Sequence, residues 1–205
     1  MKKVLLVLCM LLFATSAVCS ASPMPEFSLG QIALDVNMGA PNLSTNHGKV
    51  DGDSHVGYSL TVGVGLGYAG QYTYNKFKAD SPLHGSGSIK SQQFYLVNNI
   101  VDTIANVSLF GGLSQTQADG GPKRSGLVVG IAGSVPVAPK TKAYGVLSAG
   151  NRLSGYEVGL SYKMTDNANF NLGYRDTKYK NITFSDDTKS DVTAKGLVGG
   201  FTLKI

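Results

Sequence analysis

The chain has 205 residues, of which 15% are charged, and a formal net charge of +5. Soluble domains usually carry about 25% charged residues, so this composition is unusual for a water-soluble domain. The net charge is too small to argue for a nucleic-acid partner.

The first residues have the layout of a secretory signal peptide. Lys2 and Lys3 give a positive start, residues 4–13 are apolar, and the following residues are small and polar. The apolar run is shorter than the roughly 20 residues that a spanning helix needs. We therefore expect a signal peptide at 1–21, with cleavage after Cys19 as the alternative, and one domain at 22–205.

Both cysteines of the chain, Cys9 and Cys19, lie in this leader. The mature chain is therefore expected to have no disulfide, no thiolate nucleophile and no cysteine metal site. Loss of Lys2 and Lys3 lowers the formal net charge from +5 to +3.

Beyond the leader, the chain alternates between apolar and small or polar residues. In residues 28–40, Ile32 and Val36 share one face while Asp35 shares the other with Asn37. Alternation at period two predicts a β-strand with two different faces. A polar, turn-rich stretch at 41–54 then predicts a long loop.

Residues 56–68 show the clearest alternation. One face has only apolar and aromatic residues, and the other has only glycine, serine and threonine: Val56, Tyr58, Leu60, Val62, Val64, Leu66 and Tyr68 against Gly57, Ser59, Thr61, Gly63, Gly65 and Gly67. Such a strand fits lipid on one side and a narrow interior on the other. Tyr58 and Tyr68 are expected to lie about 25 Å apart along the membrane normal, the height that aromatic girdles bracket. A strand of a soluble β-sandwich is the alternative.

Similar segments follow along the chain, separated by polar loops and tight turns. The predicted strands are at 28–40, 56–68, 71–78, 91–101, 106–116, 126–137, 142–150, 156–164, 170–175 and 192–205. This makes about ten strands, or eight if 71–78 and 142–150 are not strands. Hydrocarbon requires backbone groups to bond internally, and no later run is long enough for a spanning helix, so a closed barrel remains.

The predicted fold is therefore all-β: an antiparallel up-and-down transmembrane β-barrel preceded by a signal peptide. The leader, the alternating strands and the closing G-G-F-T-L-K-I resemble small bacterial outer-membrane β-barrel proteins of the OmpA, OmpX or YfaZ kind, some of them porin-like. The resemblance implies a location in the bacterial outer membrane, with outer-membrane lipid and the barrel-assembly machinery as partners. Ile205 stands where such families commonly have a terminal aromatic residue, and Phe201 lies four residues earlier on the same face.

The pattern predicts two groups of site residues. An outward aromatic girdle is predicted from Tyr58, Tyr68, Tyr156, Tyr162, Phe170 and Phe201. By parity, four charged residues should point inward: Asp35, Glu157, Lys163 and Arg175. Charges in a narrow interior are costly unless they are paired. Our hypothesis is that these four residues form an ionic network that plugs the lumen or sets ion selectivity.

Catalytic and metal sites receive little support. His47, His55 and His84 fall in or beside predicted loops, and Asp51 and Asp53 precede His55, but these are ordinary loop residues. We expect no catalytic residue, no metal and no cofactor, and the protein is not expected to be an enzyme.

Two functions remain open from the sequence. The first is a porin-like or narrow-lumen barrel for small-solute passage or envelope support. The alternative is a surface-interaction barrel that binds a surface ligand through loops 41–54, 79–90 and 181–190.

Overall fold

A computed structural model describes residues 27–45, 48–81 and 85–205, with the side chains at 48–53, 79–81 and 85–86 excepted. The predicted signal peptide at 1–21 lies outside the described residues. Within the described part, no helix is long and apolar enough to cross a membrane.

The described residues form eleven β-strands. They are β1 (Ile32–Gly39), β2 (Asn42–Thr45), β3 (Gly48–Gly65), β4 (Tyr68–Ser81), β5 (Gly85–Asp102), β6 (Asn106–Ala118), β7 (Arg124–Ala138), β8 (Thr141–Gly150), β9 (Leu153–Thr165), β10 (Ala168–Thr183) and β11 (Lys189–Lys204). Strands β3 to β11 follow one another in the sheet in sequence order, as an up-and-down barrel requires.

The barrel closes through its first two strands. Strands β1 and β2 both pair with β11 on one side and with β3 on the other, always antiparallel. They are separated by Ala40 and Pro41. Because proline lacks a backbone N–H, it interrupts a ladder locally, and the two pieces together occupy one position of the barrel. The structure is thus a closed ten-stranded antiparallel barrel, and the eight-strand alternative is wrong.

The two faces of the strands follow the predicted parity. On β3, Tyr58 and Leu60 are exposed while Ser59 and Thr61 are buried. The outward row on β7 extends from Leu127 to Val137, with Val129, Ile131 and Val135 between them. Ten residues at about 3.3 Å rise and 40–45° tilt cover about 25 Å of membrane height. The exterior is therefore a lipid-facing belt, and the protein is a transmembrane barrel of the outer-membrane type.

The strand predicted at 56–68 ends earlier than its alternation suggested. Strand β3 stops at Gly65, and Leu66 and Gly67 form a two-residue hairpin turn with φ of 54° and 76°. Two positive φ angles in a two-residue turn match the twist of the flanking strands. Tyr68 consequently begins β4 opposite Gly65. Its height difference from Tyr58 is about 17 Å by the same rise and tilt, not 25 Å.

The long loops predicted at 41–54 and 79–90 are mostly strand, and half of the loop predicted at 181–190 is strand. Strand β3 begins at Gly48, β4 and β5 pair up to Ser81 and Gly85, and β10 reaches Thr183. These segments continue the ladders beyond the hydrocarbon, where outward residues face water. Polar outward residues therefore no longer distinguish a strand from a loop there.

The barrel has two different ends. The end named here the terminal end holds Ile32, whose backbone exchanges hydrogen bonds with Ile205, and the short turns at 66–67, 139–140 and 166–167. The opposite, loop end holds the connections 119–123, 151–152 and 184–188. Outer-membrane barrels place their short turns in the periplasm, so the loop end faces the outside.

Candidate functional site

A buried ion pair lies in the middle of the lumen. Arg175 and Glu157 occupy directly opposite positions on β10 and β9, and both point inward. Arg175 Nε lies 2.8 Å from Glu157 Oε2, and the two side chains are 16% and 8% exposed. A charge-assisted hydrogen bond of this length offsets part of the cost of removing both charges from water.

Three further side chains connect the pair to other strands of the barrel through hydrogen bonds. Arg175 Nη1 donates to Asn75 Oδ1 on β4 at 3.2 Å, and Tyr144 on β8 donates its hydroxyl proton to Glu157 Oε1 at 3.0 Å. His55 Nε2 on β3 lies 2.9 Å from the same Asn75 Oδ1. These five residues, the lumen cluster, join β8, β9 and β10 to β3 and β4 on the opposite wall.

Two glycines make room for the Tyr144 ring. Gly159 and Gly173 are opposite each other on β9 and β10. A Cβ atom at Gly159 would lie 2.6 Å from the Tyr144 ring and hydroxyl, and one at Gly173 would lie 2.6 Å from the hydroxyl. The small inward residues therefore shape the interior, and they do not line an empty pore.

Asp35 belongs to a second polar group, closer to the terminal end. The hydroxyls of Ser59 and Thr202 donate to the two oxygens of Asp35, the first at 3.1 Å. Asn171 Nδ2 donates to Thr202 Oγ1 at 2.9 Å. Two hydroxyl groups thus donate hydrogen bonds to this carboxylate.

Lys163 lies apart from both groups. Its Nζ contacts Asp166 Oδ1 at 2.7 Å, with both side chains largely exposed. The hydrogen bond from Lys163 lowers the pKa of the Asp166 carboxyl. Lys163 has inward parity, but it lies two residues before the end of β9, where the lumen opens to water. Of the four residues in the hypothesised network, the structure brings only Glu157 and Arg175 into direct contact.

His55, which the sequence places in or beside a predicted loop, lies within β3. It is buried inside the barrel and stacks on Phe77 with ring centroids 4.4 Å apart. Within the described part, its Nδ1 has no hydrogen-bond partner. The parity of the strand at 56–68, continued by one residue, would have placed His55 inward, as the parity of 71–78 places Asn75.

The other candidate metal ligands are only partly described. The backbone of Asp51 and Asp53 lies in β3, while His47 and His84 lie outside the described residues. Among the described residues, no three of His, Cys, Asp and Glu lie close enough to hold a metal ion.

An apolar layer fills the lumen between the lumen cluster and the loop end. Phe77 and Tyr179, on opposite walls, meet edge to face with ring centroids 5.5 Å apart. The layer consists of Phe77, Tyr179, Leu43, Ile89, Ala118, Leu153, Ile182, Val192 and Ala194, all nearly inaccessible to solvent. A layer of this kind excludes water and ions from the lumen above the ion pair.

The loop end is also closed from above. Arg124 Nε donates to Thr183 Oγ1 at 3.2 Å, joining β7 to β10 across the mouth. The Gly121 backbone approaches so closely that a Cβ atom there would lie 2.1 Å from the Thr183 carbonyl oxygen. The β6–β7 and β10–β11 connections therefore contact each other over the lumen.

Two cavities accompany these closures. One, of about 110 Å³, lies beside the lumen cluster and is lined by Asn37, Gln71 and Gln93 as well as Arg175. The other, of about 460 Å³, lies at the terminal end among Lys140, Lys142, Lys163 and Lys204. Water can thus enter from the periplasmic side, and the apolar layer stands between it and the outside.

The six predicted girdle residues lie at two heights. Tyr162, Phe170 and Phe201 form one row across β9, β10 and β11 near the terminal end, with the two phenylalanine rings 5.4 Å apart. Tyr68 lies at the same end, while Tyr58 and Tyr156 lie farther up. The Tyr58 ring contacts the rings of Tyr72 and Tyr74, and Tyr72 contacts Phe94. The predicted girdle did not include these three aromatic residues.

Solved structures with a similar arrangement include Neisserial surface protein A, at TM-score 0.48 and 14% identity over 85% of this chain and 96% of that one. They also include the outer membrane protein OprG of Pseudomonas aeruginosa, at TM-score 0.39 and 13% identity over 87% of this chain and 97% of that one. A third is Ail, the attachment invasion locus protein of Yersinia pestis, at TM-score 0.41 and 12% identity over 85% of this chain and 99% of that one. No protein-family model and no curated protein matches the chain. The closed strands and apolar exterior of this chain themselves place it in the outer membrane.

Proposed function

We propose that this protein is a narrow-lumen outer-membrane barrel that supports the envelope, and that small polar solutes cross it only when its interior contacts open. The observation that carries the proposal is the bridge from Glu157 through Arg175 to Asn75, which joins opposite walls of the barrel. The proposal assigns the lumen no catalytic role.

The apolar layer supports the same function. Ions lose their hydration on entering an apolar constriction, and that loss is costly. Because the layer lies in series with the lumen cluster, either of them alone is enough to keep the conductance low. The short connections at the loop end favour this function over binding through long loops.

Planar-bilayer conductance tests the proposal. We expect the parent barrel to conduct close to the level of the bare bilayer, and the single variant Arg175→Ala to stay low because the apolar layer remains. The triple variant Phe77→Ala, Tyr179→Ala, Arg175→Ala removes side chains from both closures and is expected to show discrete channel openings.

The matched control is a barrel with three outward substitutions to alanine, Leu127→Ala, Val129→Ala and Ile131→Ala, which leave the lumen unchanged. Its conductance should equal that of the parent, and heat-modifiable migration on gels should show that both triple variants are folded. A stable open channel in the parent would contradict the proposal, as would a folded Phe77, Tyr179, Arg175 variant that does not conduct.

A further inference from the structure

The segment just before β1 turns back toward the lumen at the terminal end. The amide of Gln31 donates to the carbonyl oxygen of Ser28 at 3.1 Å, which closes a β-turn with Gly30 at its third position. The φ of Gly30 is 76°, and a type II turn requires a positive φ at that position. The amide of Ser28 donates in return to Gln31 Oε1 at 3.2 Å. The chain direction is therefore reversed between residue 31 and residue 28.

The reversed segment lies on the inward side of β3. A Cβ atom at Gly63 would overlap the carbonyl oxygen of Ser28. Gly63 has the parity of the buried Thr61, and it lies opposite Ala69, which is fully buried. Phe27 packs against the cluster of buried, inward side chains to which Ala69 belongs. Residues 27 and 28 therefore lie inside the mouth of the barrel.

The position of Phe27 limits where the residues before it can go. Consecutive Cα atoms are about 3.8 Å apart, so Glu26 starts from the lumen side of the wall. Among residues 22–26, Glu26 is the one charged residue. A carboxylate next to an apolar interior is costly unless it meets a cation. Pro25 has a fixed φ and no N–H, so ordering it costs little entropy and leaves no backbone donor unpaired.

A lysine-lined cavity opens beside this turn. It is the terminal-end cavity of about 460 Å³, and Gln31 of the turn forms part of its wall. Four positive side chains line it: Lys140, Lys142, Lys163 and Lys204. Among the described residues of the wall, the one carboxylate is Asp166, which pairs with Lys163 at 2.7 Å. The wall therefore carries more positive than negative charge, next to the point where the chain enters the lumen.

We propose that residues 22–26 occupy this cavity as a cap on the periplasmic mouth, with the Glu26 carboxylate bound by the lysines of the wall. Hydrogen bonds from ammonium groups to a carboxylate are about twice as strong as neutral ones. One water takes about 30 Å³, so a cavity of about 460 Å³ has room for the Glu26 side chain and its neighbours. The cap narrows the route by which water reaches the lumen from the periplasm.

Zero-length cross-linking of the barrel, purified from outer membranes in detergent, tests the contact. A carbodiimide joins a carboxylate to a lysine amine as an amide, taking up the water that is lost, only where the two groups touch. Lys163 and Asp166 serve as the internal positive control, since they lie 2.7 Å apart. Asp102, which is exposed at the end of β5 and does not line the cavity, serves as the negative control. Peptide mass spectrometry identifies the linked residues.

We expect Glu26 to be joined to Lys142 or Lys204 in a yield similar to that of the Lys163–Asp166 link, and Asp102 to be joined to neither. A sample that links Lys163 to Asp166 but shows no link from Glu26 to any lysine of the wall would overturn the proposal.

Lysine acylation gives a second measurement that does not depend on carboxylate chemistry. The test variant is Glu26→Gln, and the matched control is Met24→Ala, which changes the same segment but keeps the carboxylate. If the parent is capped about nine-tenths of the time, Lys142 and Lys204 should react about tenfold faster in Glu26→Gln, since mainly the uncapped form reacts. Lys195, exposed on β11, should react equally in all three proteins.

Inorganic phosphate is the probe for a soluble occupant of the cavity. It should slow the acylation of Lys142 and Lys204 in Glu26→Gln but not in the parent, where the cap excludes it. Equal acylation rates in the parent and Glu26→Gln would overturn the proposal, and so would equal protection by phosphate in both. Heat-modifiable migration shows that the variants are folded. Neither measurement uses conductance, so the cap and the narrow-lumen function can fail separately.

Discussion

Replacing Arg175 with methionine is expected to lower the free energy of unfolding of the barrel by about 3–5 kcal/mol. The substitution keeps an unbranched aliphatic side chain but removes the guanidinium group, so the carboxylate of Glu157, which is 8% exposed, loses its counter-ion. An uncompensated charge in a low-dielectric interior costs more than the pair contributes when it is intact. The polar cavity beside the pair can admit water, which favours the lower end of this range.

The double variant Arg175→Met, Glu157→Gln separates the charge effect from the loss of packing. Glutamine keeps a carbonyl oxygen that can accept the hydrogen bond from Tyr144, and no buried charge remains. Since buried pairs replaced by uncharged groups of similar size often change stability little, the double variant should lie within about 1 kcal/mol of the parent.

Lys178→Met is the matched control for this comparison. Lys178 lies on the same strand as Arg175, and its substitution breaks the ion pair with Asp191. The side chains of Lys178 and Asp191 are 45% and 23% exposed. Exposed pairs contribute about 0–1 kcal/mol. Because the chain has no tryptophan, urea titrations should be followed by far-UV circular dichroism and by heat-modifiable migration. An Arg175→Met barrel no less stable than Lys178→Met would refute a structural role for the buried pair.

The parts of the fold that face hydrocarbon could be predicted from the sequence. Leu60 and Leu127 are outward and Ser59 is inward because lipid and lumen sort residues at period two. Outside the hydrocarbon this sorting ends, and the strands from Gly48 and Gly85 resembled loops. The sequence did not predict the turn at Leu66 and Gly67, because the apolar Leu66 at its tip continues the alternation.

The site was only partly predictable for a related reason. Parity gave the inward direction of Glu157 and Arg175, but their contact depends on the register set by the turn between β9 and β10. The contact of Arg175 with Asn75 joins residues 100 positions apart, and it exists only because the barrel closes. Pairing across a lumen leaves no periodic signal in one sequence, so the role of Asn75 required the structure.

Adding a single methyl group at Gly159 is expected to disturb the lumen cluster strongly. A Cβ atom there would lie 2.5 Å from the carbonyl oxygen of Leu172 and 2.6 Å from the Tyr144 ring. The Tyr144 ring has to move, and its hydrogen bond to Glu157 is lost. Overpacking costs about 1–3 kcal/mol, and a hydrogen bond to a charged group contributes about 1.5–3 kcal/mol, so Gly159→Ala should lower the free energy of unfolding by about 2.5–6 kcal/mol.

Gly70→Ala is the control for backbone effects, because Gly70 also lies in a strand but faces outward with no atom within 4 Å of the added Cβ. Its free energy of unfolding should stay within about 0.5 kcal/mol of the parent. A Tyr144→Ala background removes the ring that the new methyl group meets, so part of the cost of Gly159→Ala should disappear there. The resulting coupling between the two substitutions should be about 1–2 kcal/mol, read from the same urea titrations. Additive effects of the two substitutions would show that Gly159 does not hold space for Tyr144, because only the clash with the Leu172 carbonyl would then remain.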